Sequence, residues 1–339
     1  MGQEHGKFGL ACFSSRPFAA SKRQSDISAF KGDRMKVLVT GGAGFIGSHV
    51  VDAYVASGHD VLVVDDLSTG RRQNLNPRAR LYALDIRDPQ LEQVFLSERP
   101  DVVNHHAAKA NVRESMTKPV LYADVNVLGS LHLLELSRQY GVKKFINIST
   151  GGAVYGEPEY LPADEEHPAR PLDPYGVSKA CFEYYLPVYQ RNHGIRFTSL
   201  RYANVYGPRQ DPLGEAGVVA IFAGKMLGGE QATIHGSGDQ ERDFVYVGDA
   251  AQANLLALDH GDGGTYNIGT GIGTSINEIF ERMTGITGYP LPAVHGPAKA
   301  GEVYKVYLQA EKAARELGWQ PRVDLEQGLS LTVEYFRSL

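Results

Sequence analysis

A chain of 339 residues with a formal net charge of −5 and two cysteines is long enough to bury a large core, as one big α/β domain or two. The mild acidity excludes the electrostatic footprint of a nucleic-acid or anionic-membrane binder, and Cys12 and Cys181 are too few for a disulfide framework and fit a reducing compartment. No apolar run approaches the ~20 residues that span a bilayer, so the expectation is a soluble, cytoplasmic protein.

In chain order, residues 1–34 contain Gly, Ser and basic residues without a sustained period. Such a composition suits a targeting peptide, but Glu4, Asp26 and Asp33 argue against one. A flexible tail, or an upstream start with Met35 as the true first residue, is the expected reading.

Residues 35–66 carry the first motif. Val37, Leu38 and Val39 predict a strand, GGAGFIG a turn, and the following residues an amphipathic helix and a second apolar strand ending in an acid. Gly41 suits the positive φ of a tight turn, Gly44 lets a pyrophosphate approach the backbone, and Gly47 lets helix pack on strand. Phe45 and Ile46 lie between the last two. The helix N-terminus then offers an anion its unpaired N–H groups. Asp65 stands where a carboxylate accepts both hydroxyls of an adenosine ribose and repels a 2′-phosphate, which favours NAD over NADP. Asp66 adds to that preference, and Arg71 and Arg72 oppose it. A glycine triplet alone marks ordinary turns; strand, glycines, helix, strand and acid together predict a nucleotide-binding βαβ unit.

Beyond Asp66, apolar and helical runs alternate. RLYALDI reads as a strand, DPQLEQVFLSER as a helix, DVVNHHAA as a strand, PVLYADVNVLGSLHLLELSRQY as a long helix and KFINIST as a strand. The pattern predicts a Rossmann-type α/β fold, a doubly wound parallel sheet with helices on both faces. Its ligands lie beyond the C-terminal strand ends, where strand order reverses. That makes Asp85, Ile86, Ala107, Ala108, Lys109, Ser149 and Thr150 candidates. His105 and His106 occupy adjacent strand positions, point to opposite faces and cannot share an ion; without other ligand spacing, no metal is expected. From about Asn204, Gly and Pro rise and elements shorten. The expected division is 35–204 for the nucleotide and 205–339 for substrate, with a segment near 243–268 returning to the first domain.

Tyr175 and Lys179, in DPYGVSKACFEYYL, have the i, i+4 spacing of one helical face. A free tyrosine has a pKa near ~10, so use as a base near pH 7 needs a shift of about three units, roughly 4 kcal/mol. A neighbouring ammonium and a positive nicotinamide ring favour the phenolate, while burial opposes it. Tyr140 and Lys144 repeat the spacing where a helix ends and a strand begins, opposite the ligand, and read as structural. Cys181 reads as a small core residue.

GGAGFIGS, the VYG after KFINIST, PYGVSK, LRYANVYGPRQDP, ERDFVYV, YNIGTG and ELGWQP together resemble the extended short-chain dehydrogenase/reductase family. The likeness runs from Met35 to the C-terminus. Within that family it is strongest to the NAD-dependent nucleotide-sugar epimerases of the UDP-glucose 4-epimerase type. The resemblance implies bound NAD and a UDP-sugar substrate. Tyr175 would remove the sugar O4 proton as C4 hydride passes to nicotinamide, with Lys179 lowering its pKa, and the 4-keto sugar would turn over before hydride returns.

Many relatives place Ser or Thr where this chain has Gly151, so Thr150, Ser149 or a water must serve; Thr150 is expected. Dehydratases and decarboxylases of the family carry acids just before VYG, where this chain has Gly152 and Ala153, so elimination lacks its proton donor. For the diphosphate, which wants amide donors and a guanidinium fork, the resemblance points to Asn204 and Arg242. Arg242 has an alternative as a structural ion pair with Glu241 or Asp243. Lys299 and Glu302 are further contacts, and Val306 limits groups on sugar C2, small enough to admit N-acetylated sugars. Asn126 aligns with an active-site asparagine, with a helix polar contact as its alternative, and Arg209 reads as a loop anchor. A homodimer is implied through the helices near 119–140 and 175–193, with Leu131, Leu134, Phe182 and Leu186 as its candidate face. Other readings are 4-epimerisation of UDP-N-acetylglucosamine or UDP-glucuronate, and a non-catalytic NAD-sensing regulator, which the presence of both Tyr175 and Lys179 disfavours.

Overall fold

The computed structural model describes residue 2 and residues 34–212, 217–298 and 303–339. The expectations for Lys299, Glu302 and the tail before Arg34 therefore lie outside the described residues, Gly2 apart.

Six strands, β1 (Lys36–Thr40), β2 (Asp60–Val64), β3 (Arg80–Tyr82), β4 (Val102–His105), β5 (Lys144–Thr150) and β6 (Arg196–Tyr202), join the later strand Gly264–Ile268 in one parallel sheet. From one edge the order is Gly264–Ile268, β6, β5, β4, β1, β2, β3. Aliphatic and largely β-branched runs such as Val37–Val39 and Val61–Val64 are buried throughout, as a parallel sheet covered on both faces requires. The covering helices are α1 (Phe45–Ala56), α2 (Leu91–Glu98), α3 (Val112–Thr117), α4 (Pro119–Ala123), α5 (Ser130–Tyr140), α6 (Gly151–Val154) and α7 (Pro174–His193). Leu38, Leu62, Phe95, Leu133, Phe145 and Phe182 form the core of the layer built from α2, α5 and α7. On the other layer α1 packs on the helix Val247–Leu256, where Tyr54 donates to the Asn254 carbonyl at 3.1 Å. No helix among the described residues is long and apolar enough to cross a membrane.

Three expectations need correction. RLYALDI contributes only Arg80–Tyr82 to the sheet, because the Asp85 carboxylate takes the Arg87 amide at 2.8 Å and turns the chain locally. The long helix contains a π-type turn, Asp124–Gly129, between α4 and α5, a feature frequent at functional sites. Leu134, Phe182 and Leu186 do not form an open face: they are 1%, 2% and 1% exposed, inside the core, and Leu131 packs against them. Among the exposed apolar side chains of this helical layer are instead Val120, Leu128, Val177, Tyr184 and Val188.

The C-terminal half adds short strands. Asn204–Tyr206 pairs with Phe244–Tyr246, and Glu241–Arg242 lies between Thr274–Ser275 and Lys305–Val306. A second core of Val219, Phe222, Ile234, Phe280, Met283 and Leu329 supports them.

Candidate active site

The chain leaves β1 toward β2 and β3 but leaves β4 toward β5 and β6, so the β1/β4 boundary is the switch point at which such sheets bind ligands. Gly41 and the 106–109 segment flank it. Gly41 has φ +67°, and a Cβ there would lie 2.7 Å from the Ala107 nitrogen. A Cβ on Gly47 would lie 2.2 Å from the Gly41 oxygen, so the close approach of helix to turn requires glycine. Helix α1 starts from Gly44 with no capping side chain and no acid in its first turn, and its first N–H groups suit an anion. Phe45 and Ile46 belong to this same first turn.

Asp65 is buried, and its carboxylate accepts the Ala43 amide at 2.9 Å and the Leu67 amide at 2.8 Å. Burial pushes its pKa up while those two amides oppose the shift. A carboxylate offers about four acceptor positions, so it keeps capacity for hydroxyls. An uncapped helix start, a glycine cradle and a buried carboxylate with spare acceptors fit a dinucleotide. Asp66 is exposed and turned to Ser68, accepting its amide and hydroxyl. Asp85 pairs with Arg87 at 2.6 Å, which holds its carboxyl below the usual range. Ile86 is buried and its carbonyl accepts from the His132 ring at 2.8 Å.

Helix α7 opens with Asp173 as N-cap, its carboxylate accepting the Gly176 amide at 2.8 Å, and Pro174 in the first turn. This start sets Tyr175 and Lys179 against the end of β5. Lys179 is buried and its Nζ donates to the Ile148 carbonyl at 2.8 Å. The half-buried Tyr175 lies near the Thr150 side chain. Desolvation pushes the phenol up to about 12, the Asp173 charge adds to this, and the nearby Thr150 side chain opposes it. Burial lowers Lys179 to about 8, with Glu183 opposing. Among the protein's own groups burial is the largest influence on this phenol, and it raises the pKa. Ser149 sits below, buried, its Oγ without a protein partner.

Asn126 makes three hydrogen bonds within the protein. Its Oδ1 accepts the Lys109 amide at 2.8 Å, and its Nδ2 donates to the Lys109 carbonyl and the Ser178 hydroxyl, both at 2.9 Å. It thus clamps the half-buried Ala107–Lys109 segment to α7 beside Lys179. His105 bridges the Thr40 and Ser130 hydroxyls, and desolvation pushes the His106 ring down to about 3. No group of three His, Cys, Asp or Glu among the described residues is placed to hold a metal. Tyr140 bonds Glu92, and Lys144 is buried on Asp262 at 2.6 Å, at the opposite end of β5.

In the C-terminal half, Arg242 is paired in register with Val306 and donates to the carbonyls of Glu241 and Tyr304 at 2.8 and 3.2 Å. Of its acidic neighbours, Glu241 pairs with Lys305 at 2.7 Å, and Asp243 accepts from Thr270, Gly271 and the Leu308 amide. Val306 is buried with Tyr155, Ala163 and Leu308. Asn204 faces α6, its Oδ1 3.6 Å from the place of a Cβ on Gly152. Arg209 pairs with Asp52 of α1 at 2.8 Å, as a loop anchor would. Asp173, Ser178 and Leu308 were not foreseen, and Asp243 was expected only as an ion-pair partner of Arg242. Only Asp173 had a local signal, a capping residue before Pro at a helix start.

The NAD dependent epimerase/dehydratase family matches residues 37–269. A UDP-glucose 4-epimerase of Mycolicibacterium smegmatis is 41% identical over 310 residues, covering 90% of this chain and 99% of the relative. The crystal structure of a Thermotoga maritima UDP-glucose 4-epimerase with UDP-glucose is similar with a TM-score of 0.89 at 52% identity, over 90% of this chain and 99% of that one. A Thermus thermophilus UDP-glucose 4-epimerase in complex with NAD gives 0.86 at 47%, over 89% and 99%.

Proposed function

This chain belongs to the NAD-dependent epimerase/dehydratase family, and on that premise we propose that it interconverts UDP-glucose and UDP-galactose by inverting C4 of the sugar. The observation that carries the reading is Tyr175 at the end of β5 near Thr150 and one turn from Lys179, in a sheet whose switch point carries a glycine cradle. Residues 35–204 hold NAD, through the turn of Gly41, Gly44, Phe45, Ile46 and Gly47 and through Asp65, whose charge disfavours a 2′-phosphate. Asn204, at the end of that segment, and Arg242, from residues 205–339, hold the UDP group. Bound NAD supplies the hydride acceptor and donor, and a positive ring near the phenol.

Tyr175 takes the proton from sugar O4 while the C4–H bond breaks, and returns it after the 4-keto sugar has presented its other face. Thr150 orients the phenol, and its nearby side chain favours the ionised form. Lys179, with a pKa of about 8, carries its charge at pH 7 and supports the phenolate from one turn away. Gly152 and Ala153 offer no acid, so the keto sugar has no partner for elimination. The exposed apolar residues Val120, Leu128, Val177, Tyr184 and Val188 support a homodimer through this layer.

The test is the nucleotide released from purified protein on denaturation, followed by turnover of UDP-glucose, UDP-N-acetylglucosamine and UDP-glucuronate by wild type and Tyr175→Phe. NAD and UDP-glucose/UDP-galactose interconversion are expected, with the variant slower by ~10³-fold. Undiminished turnover by Tyr175→Phe overturns the residue assignment. NAD binding without turnover of any sugar identifies a regulator instead.

A further inference from the structure

Position 151 lacks a side chain, and its surroundings explain why. A Cβ on Gly151 would lie 2.4 Å from Leu308 Cδ1, 2.8 Å from Cδ2 and 3.2 Å from Cγ. Leu308 is 1% exposed, packed with Tyr155, Ala163 and Val306. Its backbone is fastened from two directions. The Leu308 amide donates to the buried Asp243 carboxylate at 3.1 Å. Ala163 donates to the Tyr307 carbonyl and accepts from the Gln309 amide, both at 2.9 Å. The two methyls and Cγ would all have to give way, and Leu308 is buried against Tyr155, Ala163 and Val306, so moving it means repacking that cluster. Gly152 next door is different: a Cβ there would meet Asn204 Oδ1 at 3.6 Å and Thr150 Oγ1 at 3.8 Å, ordinary contacts.

We propose that Leu308 is a positioning residue: its side chain fills the volume that a hydroxyl-bearing residue at 151 would need, and so leaves the hydrogen bond to the Tyr175 phenol to Thr150. For its activity readout the inference rests on the proposed epimerisation; its steric half does not.

Two experiments decide it, both on the full chain with bound nucleotide. Gly151→Ser, Leu308→Ala and their combination form a double-mutant cycle in thermal midpoint and turnover. Gly151→Ser alone is expected to lower the midpoint and cut turnover at least ~10-fold by overpacking. With Leu308→Ala added, the serine becomes tolerated and turnover lies within ~3-fold of Leu308→Ala alone. In the second experiment, Thr150→Ala lowers kcat by about 100-fold with little change in KM. Adding Gly151→Ser does not recover it, whereas adding Gly151→Ser together with Leu308→Ala restores at least ~10-fold, since a new hydroxyl now has room.

Additive effects in the cycle overturn the proposal. So does recovery of Thr150→Ala by Gly151→Ser with Leu308 in place, or a folded triple variant no faster than Thr150→Ala. Should the triple variant not fold, the cycle on the other variants decides. If wild type turns over no UDP-hexose, the functional reading fails and the thermal cycle alone judges Leu308.

Discussion

Lys179 donates its ammonium to the main-chain carbonyl of Ile148 at 2.8 Å, so the cation one turn from Tyr175 is anchored on the sheet rather than on an acid. Burial holds its pKa near 8, below the ~10.4 of an unfolded chain. Between those values the unfolded chain still binds the proton that the folded protein has released, so stability rises with pH across that window. Below about 8 both states are charged, and the folded protein carries the whole cost of an ammonium out of water.

Lys179→Met is accordingly expected to be more stable than wild type at pH 7, by about 1–3 kcal/mol, with a difference that shrinks toward pH 9. Its turnover falls by ~100-fold or more. Urea unfolding at the two pH values measures the first effect and the sugar assay the second. A less stable variant at pH 7 means the Ile148 bond outweighs desolvation.

Asp173 opposes ionisation of Tyr175 while capping the helix that carries it. Asp173→Asn keeps a capping acceptor and removes the charge, so the rising limb of the pH–rate profile, which reports the phenolate, moves to lower pH. Asp173→Ala loses the cap as well and is less stable by ~1 kcal/mol. A profile that stays in place, or moves up, rejects this role for the charge.

Gly47→Ala places a methyl 2.2 Å from the Gly41 oxygen, against backbone that cannot rotate away. The expected result is protein that retains no nucleotide and is less stable by about 1–3 kcal/mol. Quantifying the nucleotide released on denaturation checks it; full occupancy contradicts the cradle.

Tyr184 and Leu128 are 72% and 60% exposed on the helical layer beside the site. Arginine at both positions is expected to convert a dimer into a monomer by light scattering, while Arg at exposed Leu291, in the C-terminal half, leaves mass unchanged. A monomeric wild type, or a double variant that remains dimeric, removes this surface as the interface.

The parts that could be read residue by residue were those set by local physics. Alternating aliphatic runs, the GGAGFIG turn with its terminal Asp65, and the four-residue step from Tyr175 to Lys179 depend on backbone geometry and near neighbours, which sequence order states directly. What covers each face depends on partners far along the chain. An apolar helix face looks alike whether it meets the sheet or a second subunit, so Phe182 and Leu186 suited interface or core alike until the fold buried them and left Tyr184 and Val188 outside. Asn126 found its partner 52 residues away at Ser178, and the space beside Gly151 is taken by Leu308, more than 150 positions along the chain. The acidity of Tyr175 turned on desolvation, which depends on everything packed around the ring and has no signature in the letters beside it.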